Sequence, residues 1–92
     1  MKLKILGKKW TVIHKELDKD HIGESDLETQ TITIKPGLKA EQETSTLLHE
    51  CIHAISDSLG LGLTEKQVQG LETGLFDLNS DNPKFFSHIR KK

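Results

Sequence analysis

Apolar and polar positions alternate at the start of the chain: Leu3 and Ile5 stand between lysines, and after Gly7-Lys8 the alternation resumes through Trp10 and Val12. A period of two, broken by a glycine-bearing turn, predicts a β-hairpin. His14 to Asp20 is polar and lacks a periodic face, so it reads as a strand end running into a loop. Short extended pieces flank Gly23 to Glu28. Thr29-Gln30-Thr31-Ile32-Thr33-Ile34 is the clearest strand, because β-branched residues suit a pleated surface, and Pro36-Gly37 ends it.

The period then changes. Between Ala40 and Leu59, the residues Leu47, Leu48, Cys51, Ile52, Ile55 and Leu59 fall within an arc of about 140°, the pattern of an amphipathic helix. Gly60-Leu61-Gly62-Leu63 is a glycine-punctuated link. Thr64, with Gln67 three residues on, fits a capping box that opens a second helix from Glu65 to about Asn79. Val68, Leu71, Leu75 and Leu78 are its expected inner face. Asn82-Pro83 lies beyond its end, and Phe85 and Phe86 are expected to fold the tail back onto the core. The fold class is therefore α+β, a small antiparallel or mixed sheet packed on a two-helix hairpin. One domain spans 1–92, with a β-rich part at 1–37, the first helix at 38–60, the second at 64–80 and a tail at 81–92.

Ninety-two residues lie near the lower size at which a chain buries its own core. Apolar residues make up 34% and charged residues 29%, with one Trp, three Phe and no Tyr, so the core is lean and a bound metal would add stability. The net charge of -1 argues against a surface built for nucleic acid or for a membrane. Lys8-Lys9 and Arg90-Lys91-Lys92 read as a solvated face and tail. One cysteine excludes an intramolecular disulfide framework, and no apolar run suffices for a signal peptide or membrane span, which makes the cytoplasm the expected compartment. Cys51, near the middle of the apolar arc, reads as a buried small hydrophobe.

The chemistry lies in His49-Glu50-Cys51-Ile52-His53, which has the spacing HExxH. On a helix the two histidines stand about 40° and one turn apart, so two ring nitrogens can meet one metal ion, expected to be Zn2+. Glu50, about 60° from His53, is placed to take a proton from a water that zinc has acidified. With five histidines in the chain, a chance HExxH arises with a probability of about 0.02. The chemistry so named is metal-assisted hydrolysis of a peptide bond.

A catalytic zinc site needs a third protein ligand and an open position. Asp57 is one turn beyond His53, but its short side chain suits an outer position. Glu65 and Glu72 are about 20° apart on the second helix and both could face the histidines. If the helices pack antiparallel through a short loop, His53 is more nearly level with Glu72.

The stretch Thr44 to Ile55, followed by Leu63-Thr64-Glu65, Val68, Leu71, Leu75 and Asp81-Asn82-Pro83, resembles small zinc-peptidase-like proteins encoded in phages and prophages, which are similar to the ImmA/IrrE metallopeptidases. The resemblance implies a minimal zincin-like fold with Zn2+ on His49, His53 and Glu65, Glu72 being the alternative third ligand, and with Glu50 as general base. The spacing of 18 residues from His53 to Glu72 matches instead the aminopeptidase branch of zinc peptidases. Ile52 stands where a glycine commonly precedes the second histidine in ImmA/IrrE proteins. In zinc peptidases generally an edge strand beside the active-site helix pairs with substrate. The 29–35 strand is the candidate, with an interior strand paired on both sides as the other reading. No Tyr is present to stabilise an oxyanion, and His14, His21, His88 and Arg90 show no diagnostic spacing.

Three readings follow. The first is a zinc-dependent metallopeptidase acting on a protein or peptide substrate. The second is a catalytically silent, zinc-stabilised phage interaction or regulatory module, against which intact Glu50 speaks. The third, a nucleic-acid-associated factor using its basic tail, is opposed by the near-neutral charge.

Overall fold

The computed structural model describes residues 1–90, so Lys91 and Lys92 of the basic tail lie outside the described residues. Four strands, β1 (Lys2–Ile5), β2 (Lys8–His14), β3 (Gly23–Asp26) and β4 (Thr31–Ile34), precede the helices α1 (Ala40–Leu59), α2 (Glu65–Asp81) and α3 (Phe85–Arg90). The sheet is mixed, in the order β1-β2-β4-β3. β1 and β2 form an antiparallel hairpin in which Ile5 faces Lys8 across Leu6 and Gly7. Both turn residues have positive φ, at 52° and 79°, the twist a two-residue hairpin loop requires.

β4 lies parallel to β2, with Val12 opposite Ile32, and antiparallel to β3, with Ser25 opposite Ile32. The 29–35 strand is thus interior, and β3 is the outer strand on that side. Thr29 and Gln30 belong to the turn, where Asp26 Oδ1 accepts from the Glu28 and Thr29 amides at 2.9 and 3.3 Å.

One sheet face makes the core. Ile5, Trp10, Val12, Ile32 and Ile34 pack with Ala54 of α1, and Leu3, Leu38, Leu47 and Cys51 close the cluster. The expected orientation of α1 is corrected here. Its buried residues are Thr46, Glu50, Ile52, Ala54 and Ser56, while Ile55 and Leu59 are exposed. The face towards the sheet keeps Leu47 and Cys51 from the apolar arc and extends past its edge to Ala54, Glu50 and Thr46. The reason lies at β3, where Gly23 lets the strand approach Thr46 and Glu50 closely.

The expected inner face of α2 is corrected likewise: only Val68 is buried, with Leu71 45% and Leu78 38% exposed. The helix turns Glu65, Glu72 and Val68 towards α1 with Leu75 half-buried beside them, and Leu71 and Leu78 fall on the outer flank. The tail does not fold back onto the core, because α3 packs on α2 alone and none of its residues is buried.

Candidate metal centre

The loop between α1 and α2 decides which residues meet. Gly60 ends α1 in the left-handed conformation, at φ 66°, and the Leu61 amide donates to the Ser56 carbonyl at 2.9 Å. The buried Ser56 hydroxyl accepts from the Leu63 amide at 3.1 Å. The capping box follows: Thr64 Oγ1 accepts from the Gln67 amide at 3.1 Å, and Gln67 Oε1 accepts from the Thr64 amide at 2.9 Å. Glu65 is therefore the first helical residue of α2 and stands beside the histidine face of α1.

The Glu65 carboxylate spans the histidine pair, with Oε1 at 2.5 Å from His49 Nε2 and Oε2 at 2.9 Å from His53 Nε2. Glu72 Oε1 lies 3.0 Å from the other nitrogen of the His49 ring, Nδ1. The two rings meet edge to face with centroids 4.9 Å apart. One ligand atom each from His49, His53 and Glu65 lies within 4.8 Å of the others, a group able to hold a metal ion.

This geometry divides the roles of the two glutamates. The Glu65 side chain is 68% exposed and free to adjust to an ion, whereas that of Glu72 is 14% exposed. A carboxylate on Nδ1 orients the ring and leaves Nε2 to bind, the outer arrangement typical of metal-bound histidine. Asp57 lines the cleft without joining the group.

The donor set itself fits a cation. Neutral His49 carries a single ring N–H, yet both of its nitrogens face carboxylate oxygens. A proton at Nδ1 satisfies Glu72 and leaves two electron-rich atoms, Nε2 and Glu65 Oε1, facing each other. A second proton or a metal ion resolves that contact, and two neutral imidazoles with a carboxylate match the ligand chemistry of zinc.

Glu50 lies one step round the helix, 6% exposed, and lines the same cleft. It makes no side-chain hydrogen bond among the described residues. Burial pushes its carboxyl above the usual range; His53 and His49 pull it partly back, while Glu65 and Glu24 add to the rise. The Glu65 carboxyl moves the other way, since what burial it has is outweighed by His49 and His53. Two carboxylates on one site are thus driven apart, the division that separates a proton acceptor from a ligand. The Cys51 thiol is half-buried against the core, raised by burial and by Glu50, and lies outside the group of three.

The cleft has a volume of about 790 Å³ and runs between α1, α2 and the β3 wall from Ile22 to Ser25. His21 stands at its rim. His14 is engaged elsewhere, 2.7 Å from Glu43, and His88 lines a separate groove beside α3. Sequence reasoning missed the β3 wall and the contact of Glu72 with Nδ1 of His49. The first has no apolar signal, its residues being Gly-Glu-Ser-Asp, and the second depends on ring orientation. Comparison with family models, curated proteins and solved structures finds no match to this chain. No helix among the described residues is long and apolar enough to cross a membrane.

Proposed function

We propose that the protein is a minimal zinc-dependent metallopeptidase. The observation that carries the reading is the convergence of His49, His53 and Glu65 beside a buried, unpartnered Glu50 in one open cleft. Zinc bound there supplies polarisation of the scissile carbonyl and acidification of a water. Glu50 accepts the proton and returns it to the leaving amine, a task suited to a carboxyl that burial raises above its ordinary range. Glu72 holds the His49 ring through Nδ1, which would leave Nε2 to bind the metal. The free edge of β3 offers main-chain groups to an extended peptide.

Elemental analysis after zinc loading tests the site, paired with cleavage of an unfolded protein such as casein. One zinc per chain is expected in the wild type and in Glu50→Gln, with loss in His53→Ala and Glu65→Ala. Cleavage is expected in the wild type and absent in Glu50→Gln. A wild type that takes up no zinc refutes the reading. A zinc-loaded wild type that cuts nothing while Glu50→Gln binds zinc equally well favours the interaction module.

A further inference from the structure

From the charges around the cleft we infer that its substrate is a basic peptide segment, with lysine or arginine side chains flanking the bond to be cut. The inference rests on the reading of the cleft as a peptidase site. The chain as a whole is balanced, with 13 basic and 14 acidic residues. The cleft is not, for its lining includes Asp20, Glu24, Glu50, Asp57, Glu65 and Glu72 and no Lys or Arg among the described residues. A neighbouring hollow that shares Gln42, Ser45 and Glu72 with it continues the bias, adding Glu41 and Asp77 against Lys39.

These charges are not all needed by a metal. Glu65 is a ligand, Glu72 is bound to His49, and Glu50 is the proton acceptor. Asp20, Glu24 and Asp57 are left on three sides of the cleft: before β3, on β3 and on the last turns of α1. None of the three takes part in a side-chain hydrogen bond or ion pair among the described residues. Even a bound dication leaves the cleft net negative.

A second observation points the same way. Glu50 is more than nine-tenths buried and unpartnered, with its carboxylate turned into the cleft towards Gly23, where Oε2 lies 3.1 Å from the position a Cβ would take. No side-chain oxygen closed off from solvent lacks a partner among the described residues, so the Glu50 oxygens open onto the cleft and are free to accept from a donor or cation that enters it. Acidic walls around a partly enclosed cleft focus the field and raise the local concentration of cationic ligands, typically by about 10- to 1,000-fold in on-rate. An acidic or neutral segment meets the opposite field.

The test uses zinc-loaded Glu50→Gln, so that peptide is bound and not cut, and two fluorescein-labelled extended peptides that differ only in carrying three lysines or three glutamates. Anisotropy titration at low ionic strength is expected to show the lysine peptide binding at least about tenfold more tightly, with the preference collapsing in high salt. Adding Asp20→Asn, Glu24→Gln and Asp57→Asn is expected to reduce the preference below about threefold at unchanged zinc content. Neutralising the exposed Glu16, Glu28 and Asp81, an equal change in net charge, is expected to leave it. Equal binding of both peptides by zinc-loaded protein overturns the inference and leaves the peptidase reading standing. So does a preference abolished equally by the control triplet, since it then belongs to the whole surface. If the rim triplet instead costs zinc and not peptide preference, the rim serves the metal and the inference falls. A protein that takes up no zinc removes both readings.

Discussion

β3 packs tightly against the site helix at Gly23, and replacing this glycine by alanine tests the placement of the cleft wall. A Cβ at this position meets Thr46 Cγ2 at 2.6 Å and the Glu50 Cγ and Oε2 at 3.1 Å. Carbon atoms rest about 3.5–4.0 Å apart, so β3 or α1 must yield by about 1 Å at the first contact. No positive φ is involved at Gly23, and the cost is therefore steric. Overpacking of this kind costs about 1–3 kcal/mol. On a chain of this length each kcal/mol lowers Tm by about 4–8 °C.

Thermal unfolding followed by circular dichroism, in metal-free buffer, measures the change. Thr46→Ser supplies the second arm, since it removes the clashing methyl and keeps the hydroxyl that donates to the Gln42 carbonyl at 2.7 Å. Gly23→Ala is expected to cost less in the Thr46→Ser background than in the wild type, a coupling that marks direct contact. Zinc stoichiometry should not change, because the ligand group lies on α1 and α2. A Gly23→Ala protein that melts within about 1 °C of the wild type, far less than overpacking predicts, refutes the reasoning. So does an equal penalty in both backgrounds, because β3 is then not seated against Thr46.

Three further outcomes are expected. Glu72→Gln should bind zinc about 10- to 100-fold more weakly without abolishing it, as loss of an outer carboxylate does, and competition with a chromophoric chelator reads this; complete loss would make Glu72 a ligand. Thr64→Ala removes the cap of α2 and should destabilise the protein by about 0.5–2 kcal/mol in urea titrations, with zinc affinity falling in parallel because Glu65 opens that helix. For Glu50, the raised carboxyl means that the folded state binds more protons than the unfolded state between the ordinary carboxylate pKa and the raised one, so its contribution to stability falls as pH rises through that window. Metal-free Glu50→Gln should thus gain on the wild type at pH 7.5 and lose that advantage at about pH 4, and a pH-independent difference in urea midpoints would contradict it.

What the sequence made legible is what local chemistry dictates. Trp10 and Val12 alternate into the core as their period requires, and the Thr64–Gln67 box marks the first residue of α2 and so the position of Glu65. Levelling the helices about the middle of their loop put His53 nearer Glu72. The Ser56 to Leu63 hydrogen bonds shift that level, so that His53 meets Glu65 and His49 meets both glutamates. The face of α1 turned to the sheet was legible only at Leu47 and Cys51, because the residues buried there also include Thr46 and Glu50, which periodicity assigns to water. β3 was legible only as a short extended piece, since a strand of Gly-Glu-Ser-Asp owes its place to pairing with β4 and to the gap at Gly23, both long-range facts. The parallel pairing of β2 with β4 is likewise long-range.

The lean packing of α2 bears on how the two zinc readings are told apart. Val68 is its one buried residue, and the polar ties between the helices run through His49 and His53 to Glu72 and Glu65. A metal replacing the contacts at Glu65 would clamp α2 to α1, so zinc should raise stability under either reading and melting curves alone would not distinguish them. The distinction lies at the fourth coordination position. A structural site closes it with another Cys or His. Cys51, the only cysteine, lies on the far side of α1 against the core, and the group of three opens instead onto the cleft that Glu50 lines. Burial raises the Glu50 carboxyl, so keeping it ionised there costs stability in a small domain. A purely structural zinc site would gain nothing from that cost, whereas hydrolysis requires a proton acceptor at that place.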